Sequence, residues 1–168
     1  PGDLPRLFID VFVPPSTAFV FGIGPVTAPL VRIARELGMR TVVIDPRPER
    51  TTGEPIEADD VRLGSPAHVV DELAIGADDV VILLAHDYKH ELPVLERVLR
   101  GDAGYIGMLG SRRRGAAVLD ALRERGVPEA MLARVRVPAG LDLGAEAPAE
   151  IALAILAEVV ASRSARSA

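Results

Sequence analysis

Phe19-Val20-Phe21-Gly22-Ile23-Gly24-Pro25-Val26-Thr27 reads as a strand, a tight glycine turn and the start of a helix. In that setting the first glycine permits the turn, and the second lets the backbone approach a phosphate held on the N–H groups at the helix start. Pro25 suits the first helical turn but brings no N–H of its own. Thr27 stands where the usual glycine-rich fingerprint has a third Gly or Ala. Asp45 closes the next apolar run, about twenty residues on, where a carboxylate can accept hydrogen bonds from ribose hydroxyls. Arg47, two residues later, could instead pair with an additional phosphate. The purely structural alternative is a glycine turn used for packing, with Asp45 capping a strand.

Two more loops are chemically loaded. Ala85-His86-Asp87-Tyr88-Lys89-His90 gathers two imidazoles, a carboxylate, a phenol and an amine. His86 is the residue there suited to general acid or base work or to contacting a ligand, because imidazole titrates near neutrality. A solvated loop whose imidazoles cap backbone groups explains the same residues. Two His and one Asp fall short of a metal-ligand set, so no metal is expected. Gly107-Met108-Leu109-Gly110-Ser111-Arg112-Arg113-Arg114 sets three guanidinium groups at a helix start. Cations there oppose the helix dipole unless an anion lies between them and the open N–H groups of Ser111 and Arg112. In an Arg-rich chain some such runs are solvated surface.

The elements that position these loops alternate. Strands are expected at Phe19–Phe21, Thr41–Ile44, Val61–Leu63, Val80–Leu84, Tyr105–Leu109 and, weakly, Val135–Val137. Helices are expected at Pro25–Leu37 with Gly38 as C-cap, Pro66–Leu73 capped by Ser65, His90–Leu99, Ser111–Arg125, Glu129–Ala133 and Pro148–Ser162. Continuous apolar strands joined by helices predict an α/β architecture: a doubly wound, mainly parallel, Rossmann-like sheet with helices on both faces. Ligands of such sheets lie beyond the carboxyl ends of the strands, where the three loops fall. The last helix is apolar on nearly every side, as expected of a helix buried on two faces by the sheet and by a second copy in a homodimer or another domain; an internal core helix is the simpler account. Residues 16–163 form the expected domain. Residues 1–15, with a weak strand at Phe8–Val13 and the stiff Pro14-Pro15, are expected to adjoin an upstream region, and residues 164–168 to fray.

Composition narrows the function. A formal charge of −5 offers no general attraction to nucleic acid or anionic membranes. The basic residues are 18 Arg and the single Lys89, so any anion site is local. Without cysteine there are no disulfides, thiolate metal sites or cysteine nucleophiles, which is compatible with a reducing cytoplasm. The longest apolar run, Ile151–Ala161, is interrupted by Glu158 and falls short of the ~20 residues that span a bilayer.

From Ser16 to Arg163 the chain resembles the C-terminal Rossmann domain of the XdhC/CoxI family, accessory proteins for xanthine dehydrogenase and related molybdenum hydroxylases. The resemblance rests on Phe21-Gly-Ile-Gly-Pro-Val26, Val43-Ile-Asp-Pro-Arg-Pro-Glu49, His86-Asp87, Tyr105-Ile-Gly-Met-Leu-Gly-Ser-Arg-Arg113, Gly140-Leu-Asp-Leu-Gly144 and Pro148-Ala-Glu-Ile-Ala152. It implies a chaperone that holds a molybdopterin-type molybdenum cofactor and passes it to an apo-hydroxylase, rather than an enzyme with its own turnover. The family commonly has His after the second glycine and Thr before the proline of the last helix; this chain has Pro25 and Ala147. The candidate cofactor-binding residues are Gly22, Ile23, Gly24, Pro25, Asp45, Arg47, His86, Asp87, Gly110, Ser111, Arg112 and Arg113. The alternatives are an NAD(P)-dependent oxidoreductase, for which His86 would be the acid or base, and a nucleotide-sensing domain.

Overall fold

Strands that are apolar throughout must bury both faces, and these do. The computed structural model describes residues 15–47, 56–85 and 87–166. Strands β1 (Thr17–Phe21), β2 (Arg40–Asp45), β3 (Asp60–Leu63), β4 (Val80–Leu83), β5 (Tyr105–Met108) and β6 (Val135–Arg136) form one sheet in the order β3-β2-β1-β4-β5-β6. Every neighbouring pair is parallel. Helices α1 (Thr27–Glu36), α2 (Pro66–Asp71), α3 (Tyr88–Val98), α4 (Arg112–Glu124), α5 (Glu129–Leu132) and α6 (Pro148–Arg166) cover it. This is the doubly wound, Rossmann-like α/β fold expected from the alternation of elements.

Successive strand residues point to opposite sides. In β1, Ala18 and Val20 join Leu30 and Val31 of α1 and Ile155, Leu156 and Val159 of α6 in one core layer. Phe19 and Phe21 join Leu95 and Val98 of α3 and Val118 and Leu122 of α4 in the other. Thus α1 and α3, which follow the neighbouring strands β1 and β4, leave the sheet on opposite faces. A crevice opens at that switch point, beyond the carboxyl ends of β1 and β4.

Several element ends differ from expectation for local reasons. Helix α3 begins at Tyr88 rather than His90, because the Asp87 carboxylate accepts the Lys89 N–H at 2.9 Å and serves as N-cap. The Ser65 side chain makes no capping hydrogen bond to α2; its carbonyl accepts the N–H groups of His68 and Val69 instead. Ala147 has no side-chain acceptor, but Glu150 reaches back to accept the N–H groups of Glu146 and Ala147 at 3.0 and 2.9 Å. These bonds hold the Glu150 carboxyl below its ordinary range. Helix α6 runs past Ser162 to Arg166, with the Ser162 and Ser164 hydroxyls donating to the Val159 and Val160 carbonyls. It is half covered: Ile155, Leu156 and Val159 are buried, whereas Leu153 and Val160 are 51% and 43% exposed. The strand expected at Phe8–Val13 lies outside the described residues.

The Tyr105–Gly107 and Gly140 segments pack against each other through α6. The Tyr105 hydroxyl donates to Glu158 Oε2 at 2.7 Å, and the Gly140 N–H donates to the same oxygen at 2.8 Å. Gly107 lies on the same side of β5 as Tyr105, and a Cβ there would sit 2.6 Å from the ring. At Gly140 a Cβ would press on the α6 backbone, 3.0 Å from the Ile155 nitrogen. Burial first, and the Glu158 carboxylate second, push the Tyr105 phenol far above its ordinary range. An absorbance titration of the folded chain should therefore show no phenolate from Tyr105 before alkaline unfolding, and Glu158→Ala should lower the pH at which it ionises. A Tyr105 phenolate formed near pH 10 in the folded wild type would contradict the network.

Candidate functional site

The crevice is a cavity of about 550 Å³, within the range usual for small-molecule sites. The glycine turn after β1 forms one wall, the ends of β2 and β4 and the start of α3 form others, and Leu109, Pro148 and Ile151 close it. Most of the surface is apolar: Ile23, Val26, Leu83, Leu84, Val94, Leu109 and Ile151 line it together with Asp45, Arg47, Asp87, His90 and Glu91.

The turn is held by hydrogen bonds to itself and to β2. Gly22 has φ +109°, and a Cβ on it would lie 2.7 Å from the Ala85 nitrogen, so the chain passes hard against the end of β4. The Leu84 and Ala85 N–H groups both donate to the Phe21 carbonyl, at 2.8 and 3.1 Å. Thr27, the residue that departs from the usual fingerprint, fastens the turn from the helix side. Its hydroxyl donates to the Gly22 carbonyl at 3.0 Å and accepts the Gly24 N–H at 2.9 Å. Helix α1 begins at Thr27, so Pro25 belongs to the turn.

Asp45 is fully buried and closes the other side. Its Oδ2 accepts the Ile23 N–H at 2.7 Å and Arg47 Nη2 at 2.8 Å; its Oδ1 accepts the Arg47 N–H and Nε, both at 2.9 Å. The N–H groups of Ile23 and Gly24, within the turn expected to approach a phosphate, are thus directed to Asp45 and Thr27. Burial pushes the Asp45 carboxyl up, but the Arg47 side chain, the Ile23 N–H and the Arg47 N–H together hold it below its ordinary range. A carboxyl with a lowered folded-state pKa contributes stability that is present above its unfolded pKa and lost as the pH falls through the folded one. Urea midpoints of the wild type should therefore exceed those of Asp45→Asn at neutral pH, and the gap should close below roughly pH 4. A gap independent of pH would show that the carboxylate charge is not what the turn uses.

Of the residues singled out in the sequence, Gly22, Ile23, Gly24, Pro25, Asp45, Arg47 and Asp87 all line the cavity. His86 lies outside the described residues. Gly110, Ser111, Arg112 and Arg113 do not line it, although Leu109 just before them does. Ser111 is the N-cap of α4, its hydroxyl accepting the Arg114 N–H at 3.2 Å, and Arg112 and Arg113 are exposed. The third arginine of the run turns inward instead: Arg114 pairs with Glu91, whose side chain is 1% exposed, and also donates to the Leu109 carbonyl at 3.4 Å. Sequence reasoning took His90 only as part of the loaded loop and missed Glu91 altogether; both line the cavity. The signal that could have found them was their position in the first turn of the helix capped by Asp87. Among the described residues no three His, Asp or Glu side chains are grouped to hold a metal ion, and no helix is long and apolar enough to cross a membrane.

The sequence profile of the XdhC Rossmann domain matches residues 18–159. The chain belongs to this family. A Bacillus halodurans protein of solved structure, described as a xanthine dehydrogenase, superposes with a TM-score of 0.79 at 31% identity, over 91% of this chain and 44% of that one. A probable xanthine dehydrogenase subunit of Bacillus subtilis is 29% identical over 94% of this chain and 46% of its own length. The "Molybdenum cofactor insertion chaperone PaoD" of Escherichia coli is 38% identical over 53% of this chain and 28% of its own length. The chain therefore spans less than half the length of each of these relatives. Placed on the XdhC Rossmann domain, the glycine turn, Asp45 and Arg47 sit at one cavity, whereas Tyr105, Gly107 and Gly140 join β5 to α6.

Proposed function

We propose that this chain is the cofactor-holding domain of an accessory protein that carries a molybdopterin-type molybdenum cofactor to an apo-hydroxylase of the xanthine dehydrogenase type. The observation that carries the reading is the largely apolar cavity at the sheet's switch point, in a chain of the XdhC Rossmann family related to a molybdenum cofactor insertion chaperone. Ile23, Val26, Leu84 and Leu109 offer apolar walls to a flat ring system. Arg47 supplies a cation. Leu109 leads directly into Gly110-Ser111-Arg112-Arg113, toward which a phosphate could extend while the ring occupies the cavity. Such a carrier would work in the cytoplasm.

A dinucleotide-binding oxidoreductase or sensor is the second reading, favoured by the strand order and by Asp45 at the end of β2. Equilibrium titration of the full-length protein with molybdopterin, NAD(H) and NADP(H) separates the two. Tight molybdopterin binding without dehydrogenase activity is expected; substrate-dependent NADH formation would replace the carrier reading. In the same assay, Arg112→Ala combined with Arg113→Ala should weaken molybdopterin binding by roughly tenfold or more, the worth of one charge-assisted hydrogen bond. Unchanged affinity would remove both arginines from the site.

A further inference from the structure

In a dinucleotide site the carboxylate at the end of the second strand faces the ligand and accepts the ribose hydroxyls. Asp45 stands at that position, yet both of its oxygens are engaged within the chain. Oδ2 holds the Ile23 N–H, and the Arg47 backbone and guanidinium occupy Oδ1 and share Oδ2. The Arg47 side chain is 39% exposed and that of Asp45 is 0% exposed, so the guanidinium covers the carboxylate. Among the described residues lining the cavity, Arg47 is the only Arg or Lys.

We propose that Asp45 and Arg47 form a specificity-determining pair in which the guanidinium occupies the diol-reading carboxylate at the cavity wall, so that a ligand gains nothing from a ribose 2′,3′-diol. The proposal rests on the reading of this cavity as the ligand site and deepens it by excluding one ligand class. A hydroxyl approaching Asp45 would have to displace a charged donor held by two side-chain hydrogen bonds, which a neutral donor does not match. A pterin bearing a phosphate has no such diol to place, and it meets the guanidinium face of the pair instead. Asp45 is then a positioning residue: it clamps the glycine turn through Ile23 and fixes the direction of Arg47.

The test compares 5′-AMP with 2′,3′-dideoxy-AMP on the full-length protein by calorimetry. For the wild type the two should bind within about twofold of each other, or both fail to bind at millimolar concentration. Arg47→Ala uncovers Asp45 Oδ1, and 5′-AMP should then bind roughly tenfold or more tightly than its dideoxy counterpart, as expected for a hydroxyl bonded to a charged acceptor. Arg47→Met, which keeps an unbranched apolar chain at this position, repeats the comparison should the alanine variant fold poorly. A tenfold preference for 5′-AMP in the wild type would overturn the proposal, as would the lack of a diol preference in the folded Arg47 variants. Molybdopterin titration of the same preparations stays a separate readout: its failure counts against the carrier reading, and the diol comparison still decides the role of the pair.

Discussion

Gly22→Ala is expected to lower the thermal midpoint by roughly 6–12 °C, corresponding to about 3 kcal/mol in a chain of this size. Two costs combine. The backbone at Gly22 has φ +109°, a conformation that L side chains rarely adopt. The added methyl would also meet the Ala85 nitrogen at 2.7 Å and its Cα at 3.0 Å. These are backbone atoms at the end of β4, tied to the Phe21 carbonyl through the Ala85 N–H, so they cannot swing aside as a side-chain tip would. Relief would require β1 and β4 to part at the switch point, opening the floor of the cavity. Gly24→Ala is the informative control, because a Cβ there meets nothing within 4 Å. Differential scanning calorimetry on both variants checks the contrast, and equal midpoints would mean that the close approach at Gly22 is relaxed in solution.

The second large effect belongs to Arg114. Arg114→Ala should destabilise the chain by about 3 kcal/mol, the lower end of the cost of breaking a buried ion pair, because Arg114 itself is 16% exposed. The loss arises from leaving the Glu91 carboxylate, 1% exposed, in an apolar cavity wall without the guanidinium. Arg112→Ala and Arg113→Ala, at exposed positions, should each change stability by less than about 0.5 kcal/mol. Glu91→Gln in the Arg114→Ala background should recover part of the loss, since a neutral amide does not carry the desolvation cost of a charge. Denaturant unfolding of the four variants gives the comparison. A loss at Arg114 no larger than at Arg112 would show that the pair is not formed in solution.

The three consecutive arginines show where sequence reading stops. Their anion-binding expectation treats them as equivalent at a helix start, but successive residues are separated by about 100° around a helix, which puts Arg112 and Arg114 on nearly opposite sides. Which side faces another element depends on how α4 lies against α3, and only Arg114 meets Glu91 across that contact. The glycine turn was legible for the opposite reason. Strand, Gly-x-Gly and helix are contiguous, and their geometry is set within a few residues. Thr27 was legible as a departure but not as a fastener, because its two hydrogen bonds appear only once the turn has closed.

The sequence by itself determined the order of strands and helices, the doubly wound parallel class and the loops at the carboxyl ends of the strands. These follow from apolar runs, caps and periodicity, which act between near neighbours in the chain. Only the tertiary structure decided what those loops do to one another. Asp45 is 22 residues from Ile23, yet its carboxylate accepts the turn's N–H and is covered by Arg47. Tyr105 is 53 residues from the Glu158 that holds its hydroxyl. A buried polar group must find a partner wherever packing leaves one within reach, and the spacing of residue types along a chain does not carry that choice.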